Sequence, residues 1–184
     1  MLTRSDVVLK MAYIAWMTND IRLREELCTY LPALESYNRA SYIGIVLART
    51  ESKVEQEYVL QSLGDRSADI RDEAYKVLSE MSLSPEQYQH IEELLRFKYS
   101  EMRINAINLL MKQPEAQLAA SIRRLLSDKN AERRLAGLDM MKSIRNVDFL
   151  KDSYQKLLST VREIQKPNAK ENCLLYTSPS PRDA

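Results

Sequence analysis

Apolar and polar positions between Leu63 and Leu158 recur in the same order three times. LGDRSADIRDEAYKVL from Leu63, LRFKYSEMRINAINLL from Leu95 and LSDKNAERRLAGLDMM from Leu126 align, and each runs on to a double leucine: Leu94-Leu95, Leu125-Leu126 and Leu157-Leu158. Arg71, Arg103 and Arg134 are spaced by 32 and 31 residues. Three residues after each comes a small residue, Ala74, Ala106 or Gly137, and then an apolar pair, Val77-Leu78, Leu109-Leu110 or Met140-Met141. A weaker fourth copy lies upstream. Leu31 and Arg39 precede Leu63 and Arg71 by 32 residues, and Ile45-Val46 matches Val77-Leu78, but Tyr42 stands where a small residue is expected. A period of this length marks a chain of stacked units that cannot bury their apolar faces singly.

Each unit predicts two helices. Ile70, Ala74, Val77, Leu78 and Met81 fall on one helical stripe. After a turn at Ser82 to Ser84, Ser84 is a good N-cap, Pro85 suits the first helical position and Gln87 completes a capping box. Tyr88, Ile91, Leu94 and Leu95 then form a second stripe, Pro114 repeats the signal one unit later, and Ser52 with Glu55 predicts another capping box. Residues 1–30 predict one more pair. Thr3 and Asp6 cap a helix that buries Val7, Val8, Met11, Ile14 and Ala15; Asn19 or Asp20 caps the next, through Ile21, Leu23, Leu27 and Tyr30, and Pro32 ends it. The units are therefore 1–30, 31–62, 63–94, 95–125 and 126–158, followed by a helix end and linker at 159–172. With three glycines and no long β-branched run, the fold class is all-α.

The pattern resembles HEAT repeats, of the armadillo-like group of helical solenoids. Leu63, Asp65, Ile70, Arg71, Ala74, Val77 and Leu78 carry the resemblance, and again Leu126, Asp128, Arg134, Gly137, Met140 and Met141. It covers about Leu31 to Leu158 and implies a right-handed α-α superhelix of antiparallel helix pairs. It further implies an inter-repeat ladder of Asp and Arg side chains, here Asp65, Arg71, Arg103, Asp128 and Arg134. Phe97 interrupts that ladder, and Arg133 replaces the apolar residue found at Ile70 and Met102, so the ladder should be irregular. In such proteins the second helices line a concave binding face, which by helical phase would present Gln89, His90, Glu93, Gln117, Ser121 and Arg124.

Composition narrows the function classes. The net charge of +1 argues against a dedicated nucleic-acid binder. No apolar run is long enough to span a bilayer, and Lys10 interrupts the N-terminal apolar run too early for a signal peptide. Cys28 and Cys173 offer neither a disulfide framework nor a metal cluster, so a cytoplasmic setting is the default. His90, the single histidine, lies on the polar side of its helix without a matching nucleophile and reads as a solvated surface residue. Gly44, Gly64 and Gly137 are isolated and form no phosphate loop; Asp72-Glu73 and Glu92-Glu93 diverge around their helices. The basic residues Arg123, Arg124, Lys129, Arg133 and Arg134 are interleaved with Asp128, Glu132 and Asp139 and read as ordinary surface and ladder charge. Met102, Met111, Met140 and Met141, and Trp16 on its amphipathic helix, read as core.

The expected function is a non-enzymatic scaffold for protein–protein interaction, without metal or cofactor, inside a larger bacterial helical-repeat protein. Two alternatives stand beside it: nucleic-acid backbone binding or repair, and a lyase or chaperone for a tetrapyrrole, both roles known for HEAT-like modules. Cys173 to Asp183 resembles the in-frame translation of a sequencing-library adapter, so 173–184 is expected to be foreign to the fold. On that reading the natural chain continues past Asn172, and the cut end, around Phe149, Tyr154, Leu157, Leu158, Val161 and Ile164, offers a route to self-association.

Overall fold

The computed structural model describes residues 3–98, 100–145 and 151–162. Among them are ten α-helices and no strand: α1 (Arg4–Thr18), α2 (Ile21–Leu27), α3 (Ser36–Val46), α4 (Lys53–Ser62), α5 (Ala68–Glu80), α6 (Pro85–Leu94), α7 (Ser100–Leu110), α8 (Glu115–Leu126), α9 (Ala131–Ile144) and α10 (Lys151–Arg162). A single 3-10 turn, Leu31–Ala33, carries Pro32. The segment 173–184 and the side chains of Phe149 and Ile164 lie outside the described residues; Tyr154 and Leu157 are buried.

Local chemistry sets the helix starts. Thr3 and Asp6 close a capping box on α1, and Ser84 and Gln87 close one on α6 with Pro85 in the first turn. Asp20 Oδ1 accepts from the backbone N–H of Arg22 and Leu23, and Asn130 Oδ1 from those of Glu132 and Arg133. Two expectations fail here. Ser52 Oγ accepts from Glu55 N, but the Glu55 carboxylate turns into the interior instead of back to the cap. Pro114 is the residue before α8 rather than its first residue.

The chain divides into two compact units, Met1–Leu83 and Ser84–Ala184. In the first, α1 packs on α2, on the 3-10 turn and on α3; α2 packs on α4, and α5 on both α3 and α4. In the second, α6 packs on α7 and α8, α7 on α9, and α8 on α9 and α10. Within each unit, then, first helices stack on first helices and second on second. The junction at Leu83 and Ser84 falls inside the repeat drawn at 63–94. The reason is visible in the packing: α4 lies against α5, α6 against α7 and α8 against α9, across the drawn boundaries. Between α8 and α9 the double leucine ending one repeat meets the small residue of the next. A Cβ on Gly137 would sit 3.1 Å from the Leu126 side chain and 3.2 Å from Leu125 Cβ.

The core follows the helical stripes in the repeats that match best. Ile70, Ala74, Val77 and Leu78 are buried on α5; Met102, Ala106, Leu109 and Leu110 on α7; Leu135, Leu138, Met140 and Met141 on α9. The weak fourth copy differs. Tyr42, Ile43 and Leu47 are buried, while Ile45, aligned with Val77, is 67% exposed. Ala40, Ile43 and Leu47 make the inward stripe of α3, and Ile45, two residues on from Ile43, lies on the opposite side; the last turn widens, with Leu47 N–H bonded to Tyr42 O five residues back. On α1 only Val8, Ala12 and Ala15 are buried, so the expected stripe through Val7, Met11 and Ile14 is wrong: all three are exposed.

Candidate functional site

The residues expected on a concave face separate into different environments. Gln89 and Glu93 on α6 and Gln117 on α8 are exposed, and His90 is half-buried. Arg124 leaves nearly half its side chain in solvent but is tied to Glu92. Ser121 corrects the expectation outright. It is fully buried, its hydroxyl donating to Gln113 Oε1 at 3.0 Å and accepting from Arg124 Nη2 at 3.1 Å. Helical phase placed it one step too far round α8, because Leu118, Ile122 and Leu125 bring that flank against neighbouring helices.

The ladder residues also divide. Arg39 pairs with Asp65 across the α3–α5 stack, and Asp65 Oδ1 accepts from Ser67 N. Arg103 spans α7 to α9, bonding Asp139 at 2.7 Å and Glu132 at 3.3 Å. Arg71 and Arg134 each donate to two loop carbonyls just before their own helix: Asp65 and Arg66 O, and Asp128 and Lys129 O. Asp128 pairs with Arg133 at 2.9 Å. At the position of the missing middle rung, Arg96 lies over the Phe97 ring at 5.0 Å.

A second ladder was not foreseen, and it joins second helices. Glu55 on α4 is fully buried and grips Arg24 of α2 through two hydrogen bonds, with Thr50 Oγ1 donating to the same carboxylate. Glu92 on α6, 2% exposed, accepts from Arg124 of α8 at 2.7 and 3.2 Å and lies 3.8 Å from Arg133. These bonds hold the Arg24 and Arg124 guanidinium groups above the usual arginine range. The signal was present: Arg24 and Glu55 are 31 residues apart and Glu92 and Arg124 are 32, opposite charges one period apart. Arg133, at a position that is apolar in the other repeats, serves Glu92, Glu93 and Asp128.

An exposed apolar surface lies in the first unit. Between α1 and α3 runs a groove of about 670 Å³, walled by Leu9, Tyr13 and Trp16 on one side and Tyr42, Ile45 and Val46 on the other, with Lys10, Asn38 and Ser41 at its edges. Trp16, expected in the core, is 48% exposed there. Val7, Leu9, Met11, Tyr13, Ile14, Trp16 and Met17 of α1 all expose more than a third of their surface. The sequence carried a sign of this: α1 is apolar on nearly every side, a pattern of helices that are covered all round. A second groove of about 460 Å³ continues across α3 at Ser41 and Ile45 to α5, where Asp69, Asp72, Glu73 and Lys76 line it. Gly44 lets the Glu73 carboxylate lie against α3; a Cβ there would stand 2.6 Å from Glu73 Oε2.

Beneath the groove, Tyr42 is buried and its hydroxyl has no hydrogen-bond partner. Burial, reinforced by the Glu55 charge, pushes the phenol up to about 12. Cys28 is likewise buried, and burial followed by the charges of Glu55 and Glu25 pushes its thiol up to about 12, far from a thiolate nucleophile. Among the described residues no group of His, Cys, Asp and Glu side chains could hold a metal ion, and no helix is long and apolar enough to cross a membrane.

A family model described as a family of unknown function (DUF5724) matches residues 1–178, so the match runs past Cys173 into the terminal segment. No curated protein and no solved structure matches the chain.

Proposed function

The chain belongs to the DUF5724 family, and from that premise we propose that it is a non-enzymatic scaffold for protein–protein interaction, built as a HEAT-type helical solenoid. The observation that carries the reading is the exposed apolar face of α1 with its groove against α3. Soluble chains rarely leave a contiguous apolar patch of more than a few hundred Å² in water unless something binds it. The stacking of like helix on like helix within each unit, and charge pairs one repeat apart, support the solenoid part. The reading moves the binding surface from the second helices to the first helices of the N-terminal unit. Nucleic-acid binding gains no support, since Arg124 and Arg133 of the basic cluster are engaged by Glu92.

The test is a photo-cross-linking amino acid placed at Tyr13, in the groove, and separately at Asn108, an exposed site on α7. Cross-links to a discrete polypeptide from Tyr13 and not from Asn108 are expected in the native cell. Equal labelling from both sites, or none from Tyr13, would reject the reading.

A further inference from the structure

We propose that the α1–α3 groove docks an amphipathic helix of a partner protein, with the partner's apolar face in the groove and its basic side along Asp69, Asp72 and Glu73 of α5. The inference rests on the scaffold reading and names the partner's chemistry.

The size of the apolar face is the first argument. Leu9, Tyr13, Ile14 and Trp16 of α1 and Ile45 of α3 line the groove and are all exposed; at typical side-chain areas they offer roughly 500 Å², more than half of the about 800 Å² that one partner contributes to a standard interface. The second argument is shape. Leu9, Tyr13 and Trp16 lie along one wall at helical spacing, over about 10 Å of axis. The described residues contain no strand, so they offer no sheet edge on which an extended peptide could add, and a cleft between two helices suits a third. Charge is the third. The two grooves share Ser41 and Ile45, so an occupant of the first lies beside the carboxylates of the second. Asp69 and Asp72 are exposed, and Lys76 is bonded to Glu73 at 2.6 Å. The far rim therefore carries more acid than base and selects lysine or arginine on the occupant.

Trp16 is the single tryptophan of the chain, so its emission reports the groove directly. The full chain would be titrated with a leucine–lysine peptide whose leucines follow the i, i+3, i+4 pattern, and with its leucine–glutamate counterpart. The leucine–lysine peptide should shift the emission to the blue, saturably, and bind more weakly as salt rises. Asp69→Asn with Asp72→Asn should weaken it about fivefold, and Ile45→Asp about tenfold or more. All three positions are exposed, and circular dichroism would confirm that the variants are folded.

Equal binding of the leucine–glutamate peptide would overturn the proposal. So would a blue shift on concentrating the protein alone with a doubling of its mass, which would make a second copy the occupant. A cross-link from Tyr13 to a cellular protein, with no response to the leucine–lysine peptide, would keep the scaffold reading and overturn the basic helix. A saturable leucine–lysine response without any cellular cross-link would do the reverse.

Discussion

Arg24 and Glu55 face each other across adjacent second helices, with Nε–Oε1 at 2.8 Å and Nη2–Oε2 at 2.7 Å, the carboxylate wholly out of water. A fork of two parallel bonds is the strongest geometry this pair can adopt. Its value lies in what happens when it is broken. Arg24→Ala would leave Glu55 buried with Thr50 as its remaining donor, and removing one partner of such a pair costs about 3 to 5 kcal/mol. We expect a loss near 3 kcal/mol in urea unfolding. Replacing both residues with apolar ones, Arg24→Met with Glu55→Leu, should recover most of it. If the double variant is no better than Arg24→Ala, the unpaired Glu55 charge is not the source of the loss.

Glu92 provides the contrast. Arg124 keeps 46% of its side chain in solvent, and Arg133 stands in reserve 3.8 Å from the same carboxylate. Arg124→Ala should therefore cost less than Arg24→Ala, on the order of 1 kcal/mol. Adding Arg133→Ala should cost more than the sum of the single losses, because only then is Glu92 without a cation. Additive losses in the same urea assay would show that Arg133 does not compensate.

Small residues set how closely α8 and α9 approach. Gly137→Ala gains up to about 1 kcal/mol of helix propensity but places a Cβ 3.1 Å from the Leu126 side chain, so it should be near neutral. Gly137→Leu has no space and should destabilise by about 3 kcal/mol. Ala106, 1% exposed, should tolerate Glu no better, whereas Asn108→Glu on the exposed side of the same helix should change stability by under about 0.5 kcal/mol. Thermal unfolding of the four variants gives the comparison; equal effects at Ala106 and Asn108 would mean that α7 is rotated from the orientation described.

The reach of the sequence was set by periodicity. Where three copies agreed, the stripe through Ile70, Ala74, Val77 and Leu78 identified the buried face, because burial at 3.6-residue spacing leaves a direct trace. Aligning Ile45-Val46 with Val77-Leu78 carried the phase of α5 onto α3, whose buried stripe runs instead through Ala40, Ile43 and Leu47, and so Ile45 was placed inside. Periodicity also misjudged α1. A helix whose apolar residues reach nearly every side gives little phase, and a fixed pattern was imposed on residues that are exposed. The groove followed from the same blind spot: Trp16 was assigned to the core because aromatic residues usually are. Buried charge escaped because Glu and Arg were treated as surface, although Arg24–Glu55 and Glu92–Arg124 carried the repeat period in their own spacing.

Tyr42 occupies the position of the small residues Ala74, Ala106 and Gly137, and it brings a hydroxyl into the interior without a hydrogen-bond partner. A buried, unsatisfied hydroxyl costs about 1 to 3 kcal/mol of desolvation. Tyr42→Phe removes the oxygen and keeps the ring that floors the groove, so it should be neutral or stabilising at pH 7. The alkaline limb separates this from a packing effect. The folded phenol titrates at about 12 against 10.0 in the unfolded chain. A raised acid is stabilised in its neutral form, so its contribution is fully present below pH 10 and is lost as pH rises toward 12. Between those values the unfolded state holds fewer protons, and stability falls by at most about 1.4 kcal/mol per pH unit from this group. Cys28, raised to about 12 from 9.0, begins the decline earlier, near pH 9. Urea midpoints measured from pH 8 to 11 should therefore fall in the parent chain. They should fall less steeply above pH 10 in Tyr42→Phe, and less steeply from pH 9 in Cys28→Ala. A Tyr42→Phe variant that is markedly less stable at pH 7, with an unchanged alkaline slope, would mean that its hydroxyl is bonded, and that the floor of the groove is not built as described.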